Sequence, residues 1–259
     1  MKIISIQNIK GGQAKTTTAE YLARQYAANG AKVLAVDADG QGNLTNMLLP
    51  EMDFDDDSFE GSKRTISAFL KGEKDIKECV WHTETANLDV VPSNLDLFTT
   101  VYELQGKGGA DFILGNALKK LDYDFVVIDN NPAVNKMTFN SIYAADEIIC
   151  PVSIGQKPFK GLNTTMNICM QAMNNLPWDK PLNFKILIVM KGRTKMTKEG
   201  EAQLRDAFGN HVLKATIRYQ AKPLQDAEFN GKSLVNNHRD AVADDYRALF
   251  EELNEKEAD

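Results

Sequence analysis

The sequence has little of what would make a disulfide-stapled, metal-bound or membrane-spanning chain. Its three cysteines, Cys79, Cys150 and Cys169, are odd in number and lack CxxC spacing. That excludes a disulfide framework and a zinc ribbon, and suits a reducing cytosol. Three scattered histidines, His82, His211 and His238, suggest no metal site. The longest uninterrupted apolar run is Ile186–Met190, whereas a membrane-spanning helix needs about 20 apolar residues. Lys10 and Lys15 interrupt the N-terminus before an apolar h-region can form, so no signal peptide is expected. There is no excess of positive charge, with 30 Lys and Arg against 36 Asp and Glu. This excludes a chain that is basic all over, but not a basic face. Internal repeats and low-complexity linkers are also missing.

What is present is ordinary globular material: 259 residues, 43% hydrophobic and 25% charged. A chain of this size removes about 70–75% of its unfolded surface from water and needs no staples. Strand and helix patterns alternate. Lys2–Asn8, Val33–Val36, Leu88–Val91, Phe125–Ile128, Glu147–Val152, Phe184–Met190 and Val212–Ile217 are short apolar strands. Helical spacing is predicted over Thr16–Asn29, Tyr102–Leu121, Gly161–Asn174, Lys198–Phe208 and Ala241–Leu253, with Gly30 as a C-cap. Fully apolar strands joined by helical crossovers imply a mostly parallel α/β sheet with helices on both faces. The expectation is one domain, residues 1–259.

Charge is unevenly spread. Glu51–Glu60 holds six acids and no base, and reads as a solvated insertion. Residues 185–239 hold eleven Lys and Arg against five acids, whereas 240–259 hold two against eight.

Three motifs carry chemistry. KGGQAKTT (Lys10–Thr17) lies between a strand and a helix. Gly11 and Gly12 let backbone N–H groups converge on phosphate oxygens, and the helix start adds its positive end. Lys15 is spaced to reach β- and γ-phosphates, and the Thr16 hydroxyl to ligate Mg²⁺. Ile9 and Ala14 stand where an ordinary Walker A loop has glycine. Ala14 is accommodated if its φ stays negative. VDADGQGNLT (Val36–Thr45) puts Asp37 and Asp39 at a strand's carboxyl end, where ligands of open α/β sheets bind. The plainer reading is a polar turn before a helix capped by Asn43 or Thr45. FVVIDNNP (Phe125–Pro132) ends an apolar strand in Asp129, the Walker B layout for a Mg²⁺ shell.

Together these residues resemble the ParA/MinD family of deviant Walker A ATPases, and more specifically ParA-type partition ATPases. The likeness extends through LDVVPSNLDL (Leu88–Leu97), YDFVVIDNNP (Tyr123–Pro132) and Cys150–Leu162 to a C-terminal helix. It implies a P-loop NTPase domain that uses ATP/ADP and Mg²⁺. Nucleotide binding would fall to Gly11, Gly12, Gln13, Ala14, Lys15, Thr16 and Thr17. Lys10 would act across a sandwich homodimer formed with ATP, and Asp39 would position the attacking water. Thr16 and Asp129 would serve the metal, with Asp37 beside them, and Arg193 and Arg218 would lie near the adenine. Family members usually have Gly at 14, Pro at 40 and Thr-Pro-Pro at 130–132. This chain has Ala14, Gly40 and Asn130-Asn131-Pro132, which implies slow hydrolysis.

The family hosts several functions, so membership alone does not choose one. A MinD-like membrane role wants a basic amphipathic C-terminal helix, and Asp244–Asp259 is strongly acidic. An iron–sulfur relative needs cysteines after the Walker B strand, and a tyrosine-kinase relative a terminal tyrosine cluster; both are missing. DNA segregation remains. Lys195, Lys198, Lys214, Arg218, Lys222, Lys232 and Arg239 would bind DNA phosphates without sequence preference. With the P-loop starting at residue 10, no N-terminal operator-binding domain is expected, and a separate ParB-like protein is the expected partner. The implied location is the cytoplasm, on the nucleoid. The rival reading is an enzyme on the same scaffold that uses ATP to activate a small molecule.

Overall fold

The computed structural model describes residues 1–154, 158–174, 183–219 and 241–255, with the backbone alone for 158–160. Its spine is an eight-stranded sheet in the order β3-β4-β2-β5-β1-β6-β7-β8. The strands are β1 (Lys2–Ile6), β2 (Val33–Ala38), β3 (Trp81–His82), β4 (Leu88–Val91), β5 (Phe125–Asn130), β6 (Glu147–Ser153), β7 (Asn183–Lys191) and β8 (Val212–Arg218). Every pairing is parallel except that of the short edge strand β3 with β4. The mostly parallel sheet expected from the sequence is therefore present.

Both faces are covered, which is why the strands are nearly continuous in apolar residues. On one face Ile4, Ile6, Val127, Ile149 and Leu187 pack against α1 (Lys15–Ala28), α2 (Asn43–Leu48) and the C-terminal helix Ala241–Asn254. On the other face the alternate residues Ile3, Leu34, Val36, Val126 and Ile128 meet α3 (Ile66–Lys71), α4 (Asp96–Glu103), α5 (Ile113–Leu118) and α6 (Lys136–Ala144). Farther along that face Ile148, Cys150, Ile186 and Ile188 meet α7 (Pro158–Asn174) and α8 (Lys195–Phe208). All three cysteines are free and buried as small apolar side chains.

The C-terminal helix, α9, is built into the core. The Tyr246 ring stacks on Tyr21 with centroids 4.9 Å apart, and its hydroxyl lies 3.2 Å from Thr18 Oγ1. No helix among the described residues is long and apolar enough to cross a membrane.

The structure differs from the sequence reading in several places. Of the helix expected over Tyr102–Leu121, only the last two residues of α4 and the whole of α5 are α-helical, and between them lies a turn in which Gly106 and Gly109 take positive φ. Those angles cannot continue a right-handed helix. The helix after β2 starts at Asn43 with Gly42, φ 64°, at the N-cap position, and neither Asn43 nor Thr45 caps it. Helices α3 and α6 carry no clear period in the sequence, because six and nine residues are too few to show one.

The acidic segment after α2 is not merely solvated. Phe54 packs edge-on against Phe59 and Trp81, with centroids 5.5 and 5.4 Å away, and Arg64 lies over the Trp81 ring at 4.3 Å. The Asn94 amide donates to the Phe54 carbonyl at 3.1 Å, and the Leu95 N–H donates to Asp55 Oδ1 at 2.8 Å. The segment thereby fixes the start of α4.

Candidate functional site

The carboxyl ends of β1, β2 and β5, adjacent in the sheet, bring the three motifs together. A cavity of about 470 Å³ opens there, lined by residues 11–17, Asp39, Gln41, Asn43, Phe98 and residues 131–133. Gly12 has φ 65°, a left-handed angle that glycine adopts at no steric cost. Ala14 has φ 53°, against the expectation of a negative angle. An L-residue there costs roughly 1–2 kcal/mol, so the loop is held in shape by its neighbours.

Gln13 supplies part of that hold. Its amide nitrogen donates to the Gly11 and Gly12 carbonyls at 3.3 and 3.1 Å, while Oε1 accepts from Ser153 N–H and hydroxyl at 2.8 and 3.0 Å. Two loop carbonyls are thus occupied by the Gln13 amide.

Lys15, at the first turn of α1, is buried; desolvation lowers its pKa, opposed by the charges of Asp129 and Asp39. Asp129, next to last in β5, is directly opposite Asp37 in register and is 1% exposed. Neither of its oxygens accepts a hydrogen bond of good geometry. Burial and then the Asp37 charge push its pKa up, only partly offset by the nearby Thr16 hydroxyl and Lys15. A buried carboxylate without donors beside a hydroxyl is the donor set that a hard divalent cation satisfies.

Asp37 is arranged otherwise. Its Oδ2 accepts from Thr45 N–H and Oγ1 at 2.8 and 2.7 Å, and its Oδ1 from Asp39 N–H at 3.1 Å. Burial raises its pKa although these bonds lower it. Both oxygens are spent on holding α2 and the Asp39 loop, a role the sequence did not reveal. Asn130 likewise turns away from the cavity, donating to Ser5 Oγ and the Ile6 carbonyl at 2.9 and 3.0 Å.

A family model described as an AAA domain matches residues 1–179. A chromosome-partitioning ATPase Soj from Thermus thermophilus is 30% identical over 251 residues, covering 96% of this chain and 94% of its own. The chain belongs to the ParA-type partition ATPases.

The chromosome partitioning protein ParA of Caulobacter vibrioides is 28% identical over 265 residues, covering all of this chain and 96% of its own. An ATP complex of McdA from Cyanothece superposes with a TM-score of 0.85 at 24% identity, covering 100% of this chain and 98% of that one, which is a likeness of fold.

In this ParA-type ATPase Lys10 stands at the start of the phosphate loop, and Arg193 and Arg218 lie apart from it. Lys10 is exposed; its N–H donates to Asn8 Oδ1 at 2.9 Å. A Cβ on Gly161 would come 3.1 Å from Lys10 Cβ, so the side chain leaves over α7. Arg193 and Arg218 border a second cavity of about 590 Å³ with Lys191, Tyr219 and Asp245. There the Arg218 guanidinium makes two bonds of 2.7 Å to Asp245. Met190, with φ 52°, lies where the register of β7 with β8 shifts, one residue before Lys191 of this cavity.

Of the basic residues, Lys195 and Lys198 are exposed on the first turn of α8. Lys214 is exposed but stands 4.0 Å from Glu255. Lys222, Lys232 and Arg239 lie outside the described residues. The sequence reading missed Phe98, which carries no chemical signature, and Tyr219, 60% exposed at the second cavity.

Proposed function

We propose that this ATPase is a partition switch, its whole length forming one domain that pairs with a second copy when ATP binds and then coats DNA without sequence preference. The observation that carries this reading is Lys10. It is next to the wall of the phosphate cavity, which begins at Gly11, yet its side chain is exposed and directed over Gly161. A lysine so placed serves a neighbour's nucleotide better than its own, and coupling dimerisation to charge stabilisation makes hydrolysis depend on assembly.

Within one protomer the loop N–H groups and α1 bind the phosphates, and Lys15 neutralises their charge. Thr16 and Asp129 would hold Mg²⁺, whose contribution when bound is to neutralise charge building on the β- and γ-phosphate oxygens. Asp39 Oδ1 accepts the Gln41 N–H at 3.1 Å; to its other oxygen we assign the attacking water. Asp37 keeps that loop in place. The cavity beside Arg193, Arg218 and Tyr219 would take the adenine.

DNA contact is assigned to Lys195, Lys198 and Lys214 with Lys222, Lys232 and Arg239, while Arg218 is held by Asp245. Phosphate neutralisation of this kind weakens steeply with salt, and pairing two patches on one dimer raises avidity. A ParB-like protein would stimulate hydrolysis, and the location would be the nucleoid. The acidic face of α9, with Asp244, Asp245, Glu251 and Glu252, argues against an anionic membrane as the surface.

The test is light-scattering mass with ADP, with ATP, and with ATP plus non-specific duplex DNA, using Asp39→Ala to block turnover. A dimer that forms only with ATP, binds DNA and is lost with Lys10→Ala supports the reading. A monomer throughout would overturn it in favour of a small-molecule-activating enzyme.

A further inference from the structure

Asp39 sits on a four-residue turn, Asp39–Gly42, closed by the Gly42 N–H on the Asp39 carbonyl at 3.0 Å. Gly40 is the second residue of that turn. Its φ is not positive, so the backbone does not demand glycine. Proline, with its fixed φ, is the residue that best pre-sets a turn's second position. What a side chain there would meet is a ring. A Cβ on Gly40 would fall 2.8 Å from Phe98 Cε2 and 2.9 Å from Cδ2 and Cζ.

Phe98 reaches this point from a rigid base. Leu97 and Val101 of α4 are buried in the core, and the residues before the helix are tied to Asp55 and Phe54. The Phe98 side chain projects the other way, 47% exposed, and walls the same cavity as Asp39 and Gln41. Glycine leaves the turn with more backbone freedom than any other residue would, and the aromatic ring lies where it limits that freedom.

We propose that Phe98 is a positioning residue, clamping Gly40 so that the turn presents Asp39 to the attacking water. It does from outside the turn what a proline at position 40 would do from within. The inference rests on the role given to Asp39 above.

A clamp of this kind acts on turnover and not on nucleotide affinity. Phe98→Ala should lower kcat about fivefold, a barrier change of about 1 kcal/mol, with the KM for ATP changed less than about twofold. Phe98→Leu, which keeps an apolar contact, should lie between. Gly40→Pro alone should also lower kcat, because the proline would displace the ring from its place against the turn. Combined with Phe98→Ala, however, Gly40→Pro should bring kcat back to within about twofold of the unmodified protein. A structural defect would not show that reversal of sign.

The experiment is steady-state phosphate release at saturating Mg–ATP with DNA present, with fluorescent-nucleotide titration and a thermal melt for each variant. Asp39→Ala is the control. If Asp39→Ala keeps full turnover, the Asp39 assignment falls and the clamp with it. If Asp39→Ala is inactive while Phe98→Ala matches the unmodified protein, the clamp alone is overturned. It is also overturned if Phe98→Ala raises KM with kcat intact, which would make Phe98 only a wall of the nucleotide site. Equal damage from Gly40→Pro in both backgrounds is the remaining overturning result.

Discussion

Gln13 and Ser153, 140 residues apart in sequence, are joined by two hydrogen bonds to one oxygen: Gln13 Oε1 accepts the Ser153 N–H at 2.8 Å and its hydroxyl at 3.0 Å. The same amide holds two carbonyls of the phosphate loop, so the loop is fastened to the end of β6 through a single side chain.

Gln13→Ala should therefore loosen the loop and leave the Ser153 N–H without its acceptor. Losing such a partner at a part-buried site costs about 1–3 kcal/mol. Titration with a fluorescent ATP analogue should show affinity weakened at least about fivefold. Unchanged affinity would mean the loop holds its form without this tether.

Ala14 carries a left-handed backbone that glycine would adopt freely. Ala14→Gly should raise the unfolding free energy by about 0.5–1 kcal/mol, part of the relief being offset by the freer unfolded chain. Urea denaturation of the nucleotide-free protein measures it, and a loss of stability would show that the strain is absent.

The buried Asp129 carboxyl has a pKa raised by burial and by Asp37. A carboxyl with a raised folded-state pKa contributes stability that is fully present below its unfolded value of about 4 and is lost as pH rises through the folded one. Without Mg²⁺ and nucleotide, the unmodified protein should lose stability over that window. Asp129→Asn, which cannot ionise, should melt higher at alkaline pH, and the gap should close toward pH 4. The same variant should lose its dependence on Mg²⁺ for ATP binding. A gap that widens on acidification would contradict the burial argument.

Tyr246 ties α9 to α1. Tyr246→Phe keeps the stack on Tyr21 and removes only a hydroxyl contact to Thr18, which still donates to the Ala14 carbonyl at 2.7 Å. It should cost about 1 kcal/mol, whereas Tyr246→Ala should cost about 3–5 kcal/mol through the cavity it opens. Chemical denaturation separates the two, and near-equal losses would show that the hydroxyl, not the ring, carries the contact.

The alternation of strands and helices was legible because the central strands are short, apolar and buried on both faces, whereas the two-residue edge strand β3 has no such pattern. The positions of the loop at residues 11–17, of Asp39 and of Asp129 were legible because each follows or lies at the end of a short apolar strand, and parallel strands bring such ends to one edge of the sheet. The short helices α3 and α6 were not, since too few turns leave no period, and the cap of α2 fell to Gly42 and not to a side chain. The break between α4 and α5 turned on the angles that Gly106 and Gly109 adopt.

The sequence by itself determined the parallel sheet, the nucleotide loop and the acid at each neighbouring strand end, because these follow from local pattern and spacing. Only the tertiary structure decided which groups those acids serve. Asp37 and Asp129 are opposite in register and equally buried, yet one is filled by Thr45 and the Asp39 N–H while the other has no donor of good geometry. The same holds for Gln13 on Ser153 and Phe98 on Gly40. These are contacts between residues far apart in the chain, made where separate strand ends and helices converge, and no local periodicity encodes them.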